Sequence, residues 1–153
     1  MQIRAVSADD HAAWLPLWQG YQRFYATEIP EATSRLTWQR FLAADEPMHA
    51  ALAWQDGHAM AMVHWIFHRS CWTDGDYCYL QDLFVAEQAR GSGVGRGLIE
   101  HVYAQASQAG AARVHWLTHE SNAIAMQLYD RIAERPGLVQ SVSYTHLTLP
   151  TKA

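Results

Sequence analysis

Arg90-Gly91-Ser92-Gly93-Val94-Gly95 places three glycines and an arginine between two patterned runs. Ahead of it, Tyr77–Val85 is apolar, aromatic and β-branched, which predicts a buried strand. Behind it, Val94, Leu98, Ile99, Val102 and Tyr103 recur at helical spacing. Glycines at a helix entrance let backbone approach a ligand closely. The first-turn N–H groups then point at that ligand, and the helix dipole favours an anion. Arg90 and Arg96 add positive charge. The chemistry this combination suits is the holding of a phosphate.

Spacing decides between phosphate cradles. A nucleoside-triphosphate loop needs Gly-x4-Gly-Lys-Ser/Thr, and no lysine stands here. The dinucleotide fingerprint Gly-x-Gly-x-x-Gly fails because Arg96 occupies the last glycine position. What fits is Arg-x-x-Gly-x-Gly, as Arg90, Gly93 and Gly95. A second group follows Arg113–Thr118, which reads as the next strand. Asn122 caps a helix there, with Ala125, Leu128 and Tyr129 on neighbouring faces. Two carboxylates lie close in sequence to these segments. Asp82 sits within the Tyr77–Val85 strand, and Glu120 follows the later one.

Arg90, Gly93 and Gly95 resemble the pyrophosphate loop of the GCN5-related N-acetyltransferase (GNAT) superfamily, Gln/Arg-x-x-Gly-x-Gly/Ala after a strand. Asn122, Ala125, Leu128 and Tyr129 match that superfamily's second pattern, Asn-x-x-Ala-x-x-Leu/Phe-Tyr. The resemblance implies an α/β fold: a mixed, mostly antiparallel central sheet with flanking helices, splayed between the fourth and fifth strands. It implies acetyl-CoA as co-substrate, with no metal, and acetyl transfer to an amine by direct attack through a tetrahedral intermediate. Backbone groups of Leu83, Phe84 and Val85 would pair with the pantetheine arm like an added strand. The N–H groups of Gly91, Ser92, Gly93, Val94, Gly95 and Arg96 would hold the pyrophosphate, beside Arg90. Asn122 and Ala125 would line the arm further along, a backbone N–H near Leu83 would stabilise the oxyanion, and Tyr129 would protonate the departing thiolate.

Within the superfamily, YLQDLFV and WLTHESN look most like the polyamine (diamine) acetyltransferase branch. That branch has glutamate where this chain has Gln81, which leaves the base open. Asp82 should face the wrong way by strand alternation unless a bulge intervenes. Glu120 is the other carboxylate in reach. Base catalysis is expected through water by one of the two, or is largely absent. The acceptor is expected to be a small-molecule or polyamine-like primary amine. A protein lysine or N-terminus is the second acceptor class, and a non-catalytic acyl-CoA-binding module the third reading. Superfamily members are often dimers, so a homodimer is an open expectation.

The remaining elements must carry these groups. Gln2–Val6 alternates as a short strand, and Ser7 with Asp9 and Asp10 predicts a helix start. Trp14, Trp18, Tyr21 and Tyr25 then form one aromatic helix face, read as core packing in preference to a wall for an amine. Pro16 threatens a kink there. Thr37–Ala43 predicts a second helix. Met48–Gln55 and His58–Phe67 flank Asp56-Gly57, a hairpin signal. His64, His68, Cys71 and Cys78 do not form a zinc frame, and the cysteines read as free thiols. Val94–Gly110 predicts a long helix closed by Gly110.

The 153 residues, half of them hydrophobic and 17% charged, suit one globular domain over 1–153. A net charge of −4 without a basic run argues against nucleic acid as partner. The absence of a long apolar run or signal-peptide core predicts a cytoplasmic protein with no membrane partner. Ser141–Ala153 departs from the rest: Lys152 is the one lysine in a chain with ten arginines. VSYTHLTLPT resembles the translation of a transposase sequencing adapter, so native residues are expected to end near Gln140, with 141–153 a non-native tail.

Overall fold

The computed structural model describes residues 1–145. They fall into two compact units, 1–117 and the residues from Thr118 onward. The adapter-like tail reading falls mostly on 146–153, outside the described residues.

The first unit is a five-stranded sheet in the order β1-β2-β3-β4-β5. Its strands are β1 (Gln2–Ala5), β2 (Met48–Gln55), β3 (His58–His68), β4 (Tyr77–Val85) and β5 (Arg113–His115). Neighbours are antiparallel except β4 and β5, which run parallel. The β2–β3 hairpin turns at Asp56 and Gly57, with φ of 50° and 78°. Both central residues are left-handed, as a two-residue turn matched to strand twist requires.

Helices α1 (His11–Phe24) and α2 (Glu31–Leu42) cover one face of the sheet, and α3 (Val94–Gln108) covers the other. Alternation along β3 separates the two sides. His64 bonds Trp14 of α1, whereas the neighbouring Trp65 ring meets His101 of α3. The α1 side is filled by Trp14, Leu17, Trp18, Trp38, Leu52 and Met62. The α3 side buries Leu98, Ile99 and Val102 together with strand residues such as Ala51 and Val63.

Several expected boundaries shift. A 3-10 turn at Ala8–Asp10 precedes α1, and Asp10 accepts hydrogen bonds from the Ser7 N–H (2.7 Å) and the Arg4 guanidinium. α1 runs through Pro16. α2 starts at Glu31 rather than Thr37, because Pro30 is its opener: the Pro30 carbonyl accepts from the N–H groups of Thr33 and Ser34. α3 ends at Gln108, and Gly110 follows one residue beyond the cap with φ of 72°. β5 is three residues long, so the expected strand over 113–118 is cut to half.

The second unit contains α4 (Ala123–Ile132). Its cap is Asn122, whose side chain accepts from the Ala125 N–H at 3.4 Å. Among the described residues no helix is long and apolar enough to cross a membrane.

Candidate active site

Pairing between β4 and β5 covers Tyr77↔Arg113, Cys78↔Val114 and Tyr79↔His115. Beyond Tyr79 the two strands part. Leu80–Val85 keeps its pairing to β3 on one side and has no β5 partner on the other. An extended arm bearing amides can pair with such an edge as an additional strand. Leu83, Phe84 and Val85, the residues assigned to the pantetheine arm, lie on that edge.

The chain then turns through Glu87–Ala89 into the glycine loop. Gly91 and Gly93 take left-handed φ of 78° and 83°, and Gly93 is the N-cap of α3. The first helical bond runs from the Gly97 N–H to the Gly93 carbonyl at 3.1 Å. The N–H groups of Val94, Gly95 and Arg96 therefore precede the ladder and point out of the helix end. A Cβ at Gly91 or Gly93 would meet nothing within 4 Å, so open space lies over the loop. Donors, glycine backbone and space together fit a diphosphate.

The two arginines of the motif behave differently. Arg90 folds back, donating from Nε to the Val85 carbonyl at 3.2 Å, with its guanidinium 5.9 Å from the Phe84 ring centre. Arg96 is paired with Glu100 at 3.0 Å one helical turn on, so its charge is partly offset. Ser92 Oγ donates to the Ala89 carbonyl and braces the loop. A groove of about 710 Å³ lies between α1 and the 84–90 segment, lined by Gly20, Arg23, Phe84 and Arg90 among others.

Asp82 resolves the question of which way a carboxylate faces. Along β3 and β4, His64 pairs with Asp82 while its neighbour Trp65 pairs with Leu80. Gln81 is thus the extra residue of a β-bulge, and it is exposed. Without it, Asp82 and Leu80 would share the α3 face. With it, Asp82 swings to the α1 face and meets His64 and Tyr21.

His64 Nδ1 lies 2.8 Å from Asp82 Oδ2, and Trp14 Nε1 donates to His64 Nε2 at 2.9 Å. The Tyr21 hydroxyl faces the same carboxylate. Burial first, and then the Asp82 charge, hold the Tyr21 hydroxyl above its ordinary range, so it remains a donor. Burial and Asp82 also raise Tyr79. The Asp82 side chain keeps 13% of its surface exposed, enough to reach solvent.

The aromatic face of α1 grades from core to surface: Trp14 is wholly buried and Tyr25 is 45% exposed. Its rings run in sequence, with Trp14 stacked on Trp18, Trp18 on Tyr21, and Tyr21 edge-on to Tyr25. The buried half is core, as expected, and its open half carries the Asp82 partner.

Glu120 is not at a strand end. β5 stops at His115, and Glu120 is exposed in the turn before α4. Tyr129 lies on α4, seven residues after the Asn122 cap. His64 has both ring nitrogens in hydrogen bonds, which removes it from any metal reading. Among the described residues no group of three or more His, Cys, Asp or Glu could hold a metal ion.

Residues 14–133 match the family model described as Acetyltransferase (GNAT) family. The chain is 36% identical over 139 residues to the D-amino-acid N-acetyltransferase HPA3 of Saccharomyces cerevisiae, covering 90% of this chain and 86% of that protein. Among solved structures it resembles AAC(6')-Iy in complex with the bisubstrate analog CoA-S-monomethyl-acetylneamine, with TM-score 0.81 and 19% identity over 94% of this chain and 97% of that one. It also resembles the ribosomal-protein-alanine N-acetyltransferase of Brucella melitensis biovar Abortus 2308, with TM-score 0.77 and 18% identity over 94% and 99%. At these identities the structural likeness concerns the fold.

Proposed function

The chain belongs to the acetyltransferase (GNAT) family, and on that premise we propose that it acetylates the primary amine of a small molecule, with Asp82 as the proton acceptor. The observation that carries this reading is the Gln81 bulge, which turns the one carboxylate of β4 toward Tyr21 at the unpaired strand edge. D-amino acids come first among acceptors, because the Saccharomyces relative is named for them. Polyamines come second, from the YLQDLFV and WLTHESN likenesses.

A primary amine has a pKa near 10, so at neutral pH it arrives as ammonium and must lose a proton before it can attack. Asp82, partly open to solvent, takes that proton directly or through one water. Acetyl-CoA supplies the acetyl group as an activated thioester. The loop N–H groups from Gly91 to Arg96 bind its diphosphate, and the edge of Leu83–Val85 orients the arm. Backbone N–H groups between Gln81 and Leu83 are donors of the kind that stabilise a developing oxyanion, worth several kcal/mol where preorganised. Asn122 and Ala125 are assigned to the arm, and Tyr129 Oη to giving the sulfur its proton, on motif position alone.

The test is thiol release from acetyl-CoA across a panel of D-amino acids, L-amino acids, polyamines and aminoglycosides, with the product identified by mass. A 42 Da gain on an amine nitrogen is expected for at least one small-molecule class. Turnover confined to peptide lysines or N-termini would contradict the small-molecule reading. Binding of acetyl-CoA with no thiol release on any acceptor would favour a non-catalytic module. A Tyr129→Phe variant with full turnover would remove the acid role.

A further inference from the structure

We propose that His64 is the positioning residue for Asp82, and that Trp14 sets its tautomer. The inference rests on the reading of Asp82 as proton acceptor given above. His64 is 2% exposed and is surrounded by the rings of Trp14, Trp18 and Phe41. An indole N–H can only donate. Trp14 Nε1, 2.9 Å from His64 Nε2, therefore fixes Nε2 as an unprotonated acceptor. The single ring proton is then on Nδ1, where it is donated to Asp82 Oδ2 across 2.8 Å.

The chain of two bonds runs from the wholly buried Trp14 on α1, through β3, to the carboxylate on β4. Asp82 sits beside the extra residue Gln81, directly across the ladder from His64. A ring that cannot move, carrying its proton on one defined nitrogen, constrains that carboxylate. Tyr21 of α1 faces the same carboxylate. The titratable groups around the pair are Tyr21 and Tyr25 from α1, Tyr79 from β4 and, beyond the Trp14 ring, His11. The side-chain hydrogen bonds of His64 go to Trp14 and Asp82, so its effect on the reaction passes through Asp82.

The experiment compares His64→Leu, His64→Asn and Asp82→Asn in the full chain, with acetyl-CoA and the best acceptor from the panel. The Asn amide N–H falls near the position of Nδ1 and keeps a donor toward Asp82; Leu keeps bulk without a donor. His64→Leu is expected to lower kcat roughly 10- to 100-fold, the scale of a misplaced reacting group, with KM for acetyl-CoA unchanged. His64→Asn is expected to recover most of the loss. The double variant His64→Leu/Asp82→Asn is expected to be no slower than Asp82→Asn alone.

Wild-type kcat in His64→Leu beside a slow Asp82→Asn would overturn the positioning role and leave the Asp82 reading standing. So would His64→Asn no faster than His64→Leu, or additive losses in the double variant. Wild-type kcat in Asp82→Asn would overturn the base reading and this inference together. If His64→Leu does not melt cooperatively, Trp14→Phe carries the test. It deletes the N–H and frees Nε2, so lower kcat and a displaced pH–rate profile are expected; an unchanged kcat and profile would overturn the inference.

Discussion

The ring of Phe84 leaves no room for a side chain at Gly20: a Cβ there would lie 2.9 Å from the ring edge. Gly20 is the point where α1 comes down onto β4, four residues beyond Pro16 and one before Tyr21. That approach brings Tyr21 to Asp82. Alanine is a better helix former than glycine by about 1 kcal/mol, so propensity alone predicts that Gly20→Ala raises stability. Displacing Phe84 from its packing against Tyr21 costs on the order of 1–3 kcal/mol. The net expectation is a lower melting temperature and weaker turnover. A higher melting temperature with full activity would show that the ring simply moves aside.

Gly75 is more constrained. A Cβ there would overlap the backbone carbonyl oxygen of Gly110, which no rotamer change can move. The same contact zone holds the bond from the Ala112 N–H to the Asp76 carbonyl at 2.8 Å, which ties the start of β4 to the entry of β5. Gly75→Ala should therefore cost more than Gly20→Ala, about 2 kcal/mol or more. In a chain of this size that is roughly 5–10 °C in a thermal melt. Equal melting temperatures for the two variants would contradict the ranking.

The glycine loop makes a ligand-linked prediction. Acetyl-CoA at about 100 times Kd should add about 2.7 kcal/mol to the stability of the wild-type chain. Gly93→Asp places a carboxylate beside the proposed diphosphate, at a left-handed position of φ 83°. The variant should melt cooperatively but lose most of the acetyl-CoA shift. An undiminished shift would place the diphosphate elsewhere.

Acid should destabilise the fold in two stages. His49, His101 and His115 are held below their ordinary value of 6.5, in each case first by burial. Their folded forms bind protons less readily than the unfolded chain. Their contribution is complete above pH 6.5 and is lost as pH falls through the lowered values. The Arg4 side chain, hydrogen-bonded to Asp10, is the main cause of the drop of that carboxyl from 3.8 to about 2. Its contribution is present above pH 3.8 and is lost as pH falls toward 2. Melting temperature should hold from pH 8 to 7, decline from about 6.5, and decline again below about 4. A rise in melting temperature between pH 7 and 5 would contradict the histidine assignment.

Features carried by local chemistry were legible in the sequence. Asp56-Gly57 between apolar runs gave the hairpin, with β3 one residue longer than expected, and the apolar stretch Tyr77–Val85 gave β4 residue for residue. The glycine spacing placed the start of α3 at Val94. Features set by register or long-range packing were not. An extra residue in β4 is defined only against its partner, so a bulge could be raised as the condition for Asp82 but not placed at Gln81. The length of β5 depends on where β4 diverges from it. The bond from Trp14 to His64 joins residues 50 apart, and each alone read as core or as a stray metal ligand. The first turns of α2, opened by Pro30, carry too weak an apolar pattern to be read from Thr37–Ala43 alone.

Whether the bulge at Gln81 delivers Asp82 as the proton acceptor is decided by the pH dependence of kcat/KM for the amine in wild-type and Asp82→Asn chains. The wild-type rate should not climb with slope one across the neutral range. Asp82→Asn should be slower there and should rise with slope one toward high pH, where free amine no longer needs a base. Superimposable profiles, both rising with slope one, would contradict the claim and leave the amine to be deprotonated by solvent alone.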